Sequence, residues 1–210
     1  MNAGQKKPAP FLVAEHPALD ALNSRCAPWG DEIEWWGDGA GLLDWLQTAG
    51  LAEAAVAERI ACEVGKDALD QLAAQARELR EWYRPLIARY AGGLFPASAI
   101  HELEPLNRWL ARDKQVRVIE SKGAHVHLRW QGSVSRPEHL LAPLAAHLAE
   151  LIASDQLASA KNCECPSCTL WFVDTSKNQK RRWCSMAVCG NRAKAAAHRA
   201  RKSKGQAPSP

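Results

Sequence analysis

Apolar positions recur every three or four residues through most of the first 110 positions and again over 135–160. Between these stretches, over 114–130, the period drops to two. The three-to-four spacing predicts helices. "DGAGLLDWLQTAG" reads as a short one: Asp38 caps it, Leu42, Leu43, Trp45 and Leu46 form its apolar face, and Gly50 ends it. "LAEAAVAERIA", residues 51–61, follows as a second. The longest pattern spans 66–93, with Leu69, Leu72, Ala73, Ala76, Leu79, Tyr83, Leu86 and Ile87 on one face. Pro85 should kink or break it, because proline removes a backbone donor and crowds the preceding turn. "SAIHELEPLNRWLARD" predicts a further helix, with the same objection at Pro105. Residues 1 to about 30 show no clear period.

The alternating stretch "KQVRVIESKGAHVHLRW" predicts a β-hairpin near 115–130, with Val116 and Val118 on one arm, Val126, Leu128 and Trp130 on the other, and "SKG" as the turn. The chain then returns to helix over 135–160, with Ser135 as cap and Pro137 in the first turn, leading straight into a group of cysteines. The fold class that follows is mainly α with a small antiparallel β element. The predicted organisation is a helical N-terminal domain over 1–160, a cysteine-rich unit over 161–204 and a disordered tail over 205–210.

Composition changes this picture at the carboxyl end. The formal net charge of +4 hides a strong asymmetry. Residues 175–210 hold ten Lys or Arg and no acid, leaving 17 basic and 23 acidic residues before them. A mildly acidic body therefore carries a strongly cationic tail, which implies a polyanionic partner. The start, "MNAGQKKPAPF", does not read as a secretory signal, and no run is long and apolar enough for a membrane span. The expected compartment is the cytoplasm, where thiols stay reduced.

Five of the seven cysteines fall at 163, 165, 168, 184 and 189, and that clustering points to metal. Cys184 and Cys189 form one pair. The other is either Cys165 with Cys168 or Cys163 with Cys168, and spacing alone leaves both open. The segment between the pairs reads as an apolar strand, a polar turn and a second short strand. "GNRAKAAAHRARK" behind it is a strong helix former. A hairpin followed by a helix around one Zn²⁺ is a treble-clef-like arrangement. With four thiols available, and Asp174 the only carboxylate after Glu164, the metal is expected to be structural. Four thiolates on one Zn²⁺ leave a charge of −2, which Arg181, Arg182, Arg192 and Lys194 could offset.

The run "LWFVDTSKNQKRRWCSMAVCGNRAK" with its preceding C-x4-C resembles the CGNR zinc finger, named after the tetrapeptide that here is Cys189-Gly190-Asn191-Arg192. The likeness covers about 163–201. It implies Cys163, Cys168, Cys184 and Cys189 as ligands, with Cys165 the alternative to Cys163. Upstream, "ALDALNSR", "LLDWLQTAGL" and "LNRWLARDKQVRV" with "VHLRW" are similar to the ABATE domain. Together they imply a bacterial stress-induced transcription regulator.

Apart from that likeness, Lys177, Lys180, Arg181, Arg182, Asn191, Arg192, Lys194, Arg199, Arg201 and Lys202 are the candidate nucleic-acid contacts, and double-stranded DNA is the expected partner. Asn191 and Arg192 are residue types that read bases, though Asn191 can equally cap a helix and Arg192 can bond across the metal site. Trp171 and Trp183 are expected to fill the finger's small core. Nine tryptophans are many for this length. Most should pack the body, and the rest would suit a pocket for a small-molecule effector. His125 and His127 fall on the hairpin's solvent face. No catalytic motif is present, so no enzymatic role is expected. A homodimer would double the contribution of one small finger. A protein- or RNA-interaction module with a purely structural finger is the other reading.

Overall fold

The computed structural model describes residues 7–112, 115–132 and 136–204. Ser135, the expected helix cap, and the tail 205–210 lie outside the described residues. The first helix, α1 (Pro17–Asn23), begins at proline, whose missing N–H costs nothing at a helix start. The His16 ring accepts the Ala18 N–H at 3.1 Å and caps it. At seven residues it is too short to show a period, yet Ala18, Leu19, Ala21, Leu22 and Asn23 are all buried. Two short strands follow, β1 (Arg25–Cys26) and β2 (Ile33–Glu34), paired antiparallel. The helix α2 (Gly39–Thr48) is capped by Asp38, which accepts the Gly41 N–H at 2.8 Å, as its sequence predicts.

The two helices expected over 51–61 and 66–93 are both present and are labelled together α3 (Ala54–Tyr90); they meet at a kink at Gly65. There φ is +74°, a conformation glycine adopts without the clash a Cβ would bring. The helix does not break at Pro85. It continues to Tyr90, with Tyr83, Leu86 and Ile87 buried on either side of the proline. Burying those three side chains is worth more than the roughly 3 kcal/mol a mid-helix proline costs. At Pro105 the objection holds, because the stretch expected as one helix divides there. The proline stands in the first turn of α4 (Glu104–Leu110), after a 3₁₀ stretch over Ala97–Leu103.

The hairpin is present as β3 (Gln115–Lys122) and β4 (His125–Gly132), with Lys122 opposite His125 and Gly123 in the turn. His125 and His127 are exposed, as expected. So are Ile119, Val126 and Leu128 on the other face, where alternation predicts burial. The stretch expected as one helix over 135–160 is a 3₁₀ turn (Pro137–Leu141), then α5 (Ala142–Ile152), then a second 3₁₀ turn (Asp155–Ser159).

The strand β5 (Ala160–Asn162) precedes the first cysteine of the cluster and pairs antiparallel with β6 (Trp171–Val173). The pattern places the second finger strand after the polar turn; β6 finds its partner upstream instead. The last helix, α6 (Asn191–Lys204), carries the basic run. One buried cluster extends from Ala14 through α1, α3 and α5 to Phe172, Val173 and the cysteines. Inside it Trp36 and Trp45 meet edge to face at 5.0 Å, and the Tyr83 hydroxyl donates to the Leu148 carbonyl at 3.0 Å. Among the described residues no helix is long and apolar enough to cross a membrane.

Candidate metal centre and the basic surface around it

Two turns bring the thiols together. Leaving β5, the chain bends at Cys165–Cys168, where the Cys168 N–H bonds the Cys165 carbonyl at 2.9 Å. The second turn, Ser185–Gly190, leads into α6, with the Cys189 and Gly190 N–H groups both on the Ser185 carbonyl. The sulfurs of Cys163, Cys168, Cys184 and Cys189 lie within 4.8 Å of one another, and all four residues are buried. Two separations, 3.7 Å for Cys168 to Cys184 and 3.6 Å for Cys184 to Cys189, match the edge of about 3.8 Å that a tetrahedron of Zn–S bonds near 2.3 Å requires. The Cys184 N–H points at the Cys163 sulfur, 3.5 Å away. Four buried sulfurs this close together, two of their separations at the tetrahedral edge, fit one Zn²⁺, and this set can bind it.

Cys165, left open by spacing, stands outside the group. Its sulfur lies 3.7 Å from the Ser167 hydroxyl and 3.8 Å from an Arg192 nitrogen. Left to share protons, the coordinating thiols separate. The hydrogen bond from Cys184 draws Cys168 down to about 6, and the same shared proton pushes Cys184 up. Burial pushes Cys189 up to about 12. A bound metal ion replaces these protons, because a coordinating thiol is deprotonated.

The polar loop that follows β6 is organised by one buried carboxylate. Asp174 Oδ1 accepts the Ser176 N–H at 3.0 Å and the Ser176 hydroxyl at 2.6 Å; Oδ2 accepts Lys161 Nζ at 2.7 Å and the Arg181 N–H at 2.8 Å. Burial alone would raise this carboxyl, but Lys161, Ser176 and the two backbone donors outweigh it and hold it well below the usual range. Lys161 also donates to the Gln179 carbonyl at 2.6 Å. Lys177 and Lys180 ride on this loop and are exposed. Asp174 is the sole acid after Glu164; that isolation is the signal in the sequence that could have revealed its role.

Two of the arginines expected as nucleic-acid contacts are turned inward. Arg192 donates to the Pro28 carbonyl at 2.8 Å and the Ser167 hydroxyl at 2.9 Å, joining α6 to the cysteine turn and to the body. Arg181 donates to the carbonyls of Trp183 and Cys184, lies 4.4 Å over the Phe172 ring and reaches Glu15 at 3.5 Å. Each serves the fold, since a guanidinium's fixed fork suits several carbonyls at once. Arg182 is exposed, pairs with Glu164 at 2.5 Å and covers the Trp183 ring at 4.8 Å. Asn191 donates to the Ala187 carbonyl at 3.0 Å. Lys194, Arg199 and Arg201 are exposed on α6, and Lys202 lies in its last turn. Trp171 and Trp183 pack against the core, as expected.

The finger is joined to the body by contacts that no local pattern announces. The Asn23 side chain donates to the Trp171 carbonyl at 2.9 Å and accepts the Trp171 N–H at 2.8 Å, across 148 positions. The Val173 N–H bonds the Ala14 carbonyl at 2.8 Å, and the Ala27 N–H bonds the Thr169 hydroxyl at 2.9 Å. Cys26, itself raised to about 12 by burial first and by Cys168 second, lies on the same side.

Comparison with known families adds two matches. The CGNR zinc finger matches residues 160–202. The ABATE domain, described as "Putative stress-induced transcription regulator", matches residues 15–155. None of the curated proteins matches the chain.

Proposed function

The chain belongs to the ABATE family and ends in a CGNR zinc finger; from that premise we propose that it controls transcription by binding double-stranded DNA through the exposed cations of the finger. One observation carries the reading. Lys177, Lys180, Lys194, Arg199 and Arg201 are exposed on a single metal-anchored unit, and no acid occurs from 175 to 210. Residues that the fold needs, Arg181 and Arg192, are bonded internally, so the exposed set is free of that duty.

A bound Zn²⁺ supplies the cross-link that holds the two cysteine turns together. The residues do the rest. Asp174 fixes the loop bearing Lys177 and Lys180. Arg192 fixes α6 against the cysteine turn. Lys194, Arg199 and Arg201 then meet phosphates from a helix whose direction is set. Contacts of this kind release counterions, and affinity should fall with a slope of about −0.9 in log salt per phosphate neutralised.

The body's role is recognition of a small molecule. Trp36 and Trp45 are fully buried in the core. The place for an effector is the cleft of about 510 Å³ bounded by Lys7, Pro8, Pro10, Trp35, Asp44 and Thr48. Ligand titration followed by tryptophan fluorescence reads it, and a flat response across metabolite classes refutes this half of the proposal.

The DNA half is tested by mobility shift on duplex DNA in rising salt, wild type against Lys177→Ala/Lys180→Ala/Lys194→Ala/Arg199→Ala. The expected result is a steep salt slope that flattens by about three to four contacts in the variant. Affinity that ignores salt, or that survives in the variant, refutes it. Salt-steep binding without preference for any duplex sequence would instead favour the interaction-module reading.

A further inference from the structure

Between Cys184 and Cys189 the chain exposes three apolar residues in a row: Met186 is 52% exposed, Val188 43%, and Ala187 lies open between them. A run of this kind on a surface is a liability unless it is used. It is also held rigidly. Its ends are two metal ligands. The Ser185 hydroxyl accepts the Val188 N–H at 3.4 Å, and Asn191 closes on the Ala187 carbonyl. Gly190 leaves the room in which the methionine lies: a Cβ there would fall 2.4 Å from the Met186 sulfur and 3.2 Å from the Trp183 ring. Substitution of Gly190 would therefore displace Met186.

The surroundings say what this tip meets. Met186 shares a cleft of about 290 Å³ with Lys180, Arg181, Arg182 and Trp183, and Lys194 stands one turn along α6. An apolar protein surface seated on the tip would have to desolvate the exposed Lys180 and Lys194 without neutralising them. Duplex DNA supplies phosphates for the cations and the apolar faces of stacked base pairs for the tip. We infer that the Met186–Val188 tip is a wedge that inserts between base pairs and kinks the duplex, while Lys180 and Lys194 hold the flanking phosphates. This rests on the DNA-binding reading and adds to it a mode of engagement: deformation, with preference for easily unstacked pyrimidine–purine steps.

The test uses the full zinc-loaded chain and a duplex of about 30 base pairs carrying a donor and an acceptor dye at its ends. Wild type should raise energy transfer on binding, as a kink within the roughly 20–90° range of wedge proteins would. Met186→Ala/Val188→Ala should keep zinc content and melting temperature, bind about tenfold more weakly and lose the rise in transfer. Met186→Leu should keep both. Binding by wild type with unchanged transfer, or equal bending by the double alanine variant, overturns the wedge and leaves the DNA reading standing. A variant that binds and bends normally but no longer self-associates overturns it too, assigning the tip to a second copy of the chain. No binding of wild type to duplex in any salt overturns both.

Discussion

Replacing Asp174 by Asn removes one charge and almost no volume, so the result isolates the carboxylate. Four donors converge on it: the Ser176 N–H and hydroxyl on one oxygen, Lys161 and the Arg181 N–H on the other. An amide keeps one acceptor oxygen and turns an NH₂ group toward the remaining two donors. Two of the four bonds are lost, and Lys161, whose side chain is 33% exposed, loses its counter-charge. Breaking a buried, hydrogen-bonded charge pair from one side costs about 3–5 kcal/mol. The partial access of Lys161 to water places the expectation near the lower figure. For a chain of this length each kcal/mol moves the melting temperature by about 2–4 °C, so a drop of about 10 °C is expected. The sign with pH is also fixed. The folded carboxyl titrates below its ordinary value. Its contribution is therefore complete above about pH 4 and is lost only as pH falls further, toward the folded pKa. Calorimetry of both proteins from about pH 5 to 8, with zinc content measured at each point, should give a constant difference. A drop of less than about 2 °C, or a difference that vanishes by pH 5, would refute the assignment of Asp174 as the organiser of the 175–182 loop.

Cys163→Ser should lose zinc while Cys165→Ser keeps about one ion per chain, read by elemental analysis of the purified proteins; equal loss in both would put Cys165 among the ligands. Arg192→Ala should cost about 2 kcal/mol in chemical denaturation, because it leaves the Pro28 carbonyl and Ser167 without their donor. Lys194→Ala should stay within about 0.5 kcal/mol yet reduce the salt slope of DNA binding by about 1, and the reverse pattern would contradict an inward Arg192 and an outward Lys194. Burial raises Asp20 to about 6, so this acid binds a proton more readily folded than unfolded, and its contribution to stability falls as pH rises from about 4 to about 6. Asp20→Asn should therefore be about 1–2 kcal/mol more stable at pH 7 and lack that dependence; a less stable variant would show that the charge is needed. Chelation of zinc should speed amide exchange in α1 as well as in 160–204, and protection of Leu19 and Leu22 that survives chelation would refute the shared core.

Legibility followed the range of the interactions. Asp38 and the α2 apolar face were readable because cap and period lie within one turn of each other. The hairpin was readable from alternation, although alternation could not say that Ile119, Val126 and Leu128 are exposed. The cysteines were readable as a metal set, and the family likeness singled out the four that converge. Local rules failed where distant packing decides. A proline rule forecasts a break at Pro85, but Tyr83, Leu86 and Ile87 hold the helix there. Formal charge counts Arg181 and Arg192 with the other tail cations, but carbonyls at Pro28, Trp183 and Cys184 claim them. The helix α1 has too few residues to show a period and forms because five of its seven residues are buried, packed against α5, α3 and β6.

The shared core also constrains how a body of this kind can act on its finger. Division of the chain at 160 suggests a finger swinging on a linker, but Asn23 grips both polar groups of the Trp171 backbone, and Ala14 extends the β6 hydrogen bonding from the body side. Under the proposed function, control then passes through repacking. The element placed to carry it is the β1–β2 pair. Its Glu34 holds the buried Arg80 of α3 through two oxygens, and Arg80 also donates to Ser24 at 2.8 Å. The connection that leaves β1 supplies Ala27 to Thr169 and Pro28 to Arg192. A shift of α3 that moved Arg80 would draw on β1 and β2, and through Pro28 on the arginine that sets the direction of α6. Glu34→Gln tests this chain of contacts. It keeps the shape, weakens the grip on Arg80 and should lower duplex affinity even though residue 34 lies on the body, outside the finger. A loss of thermal stability with DNA affinity unchanged would show that the network supports the body alone.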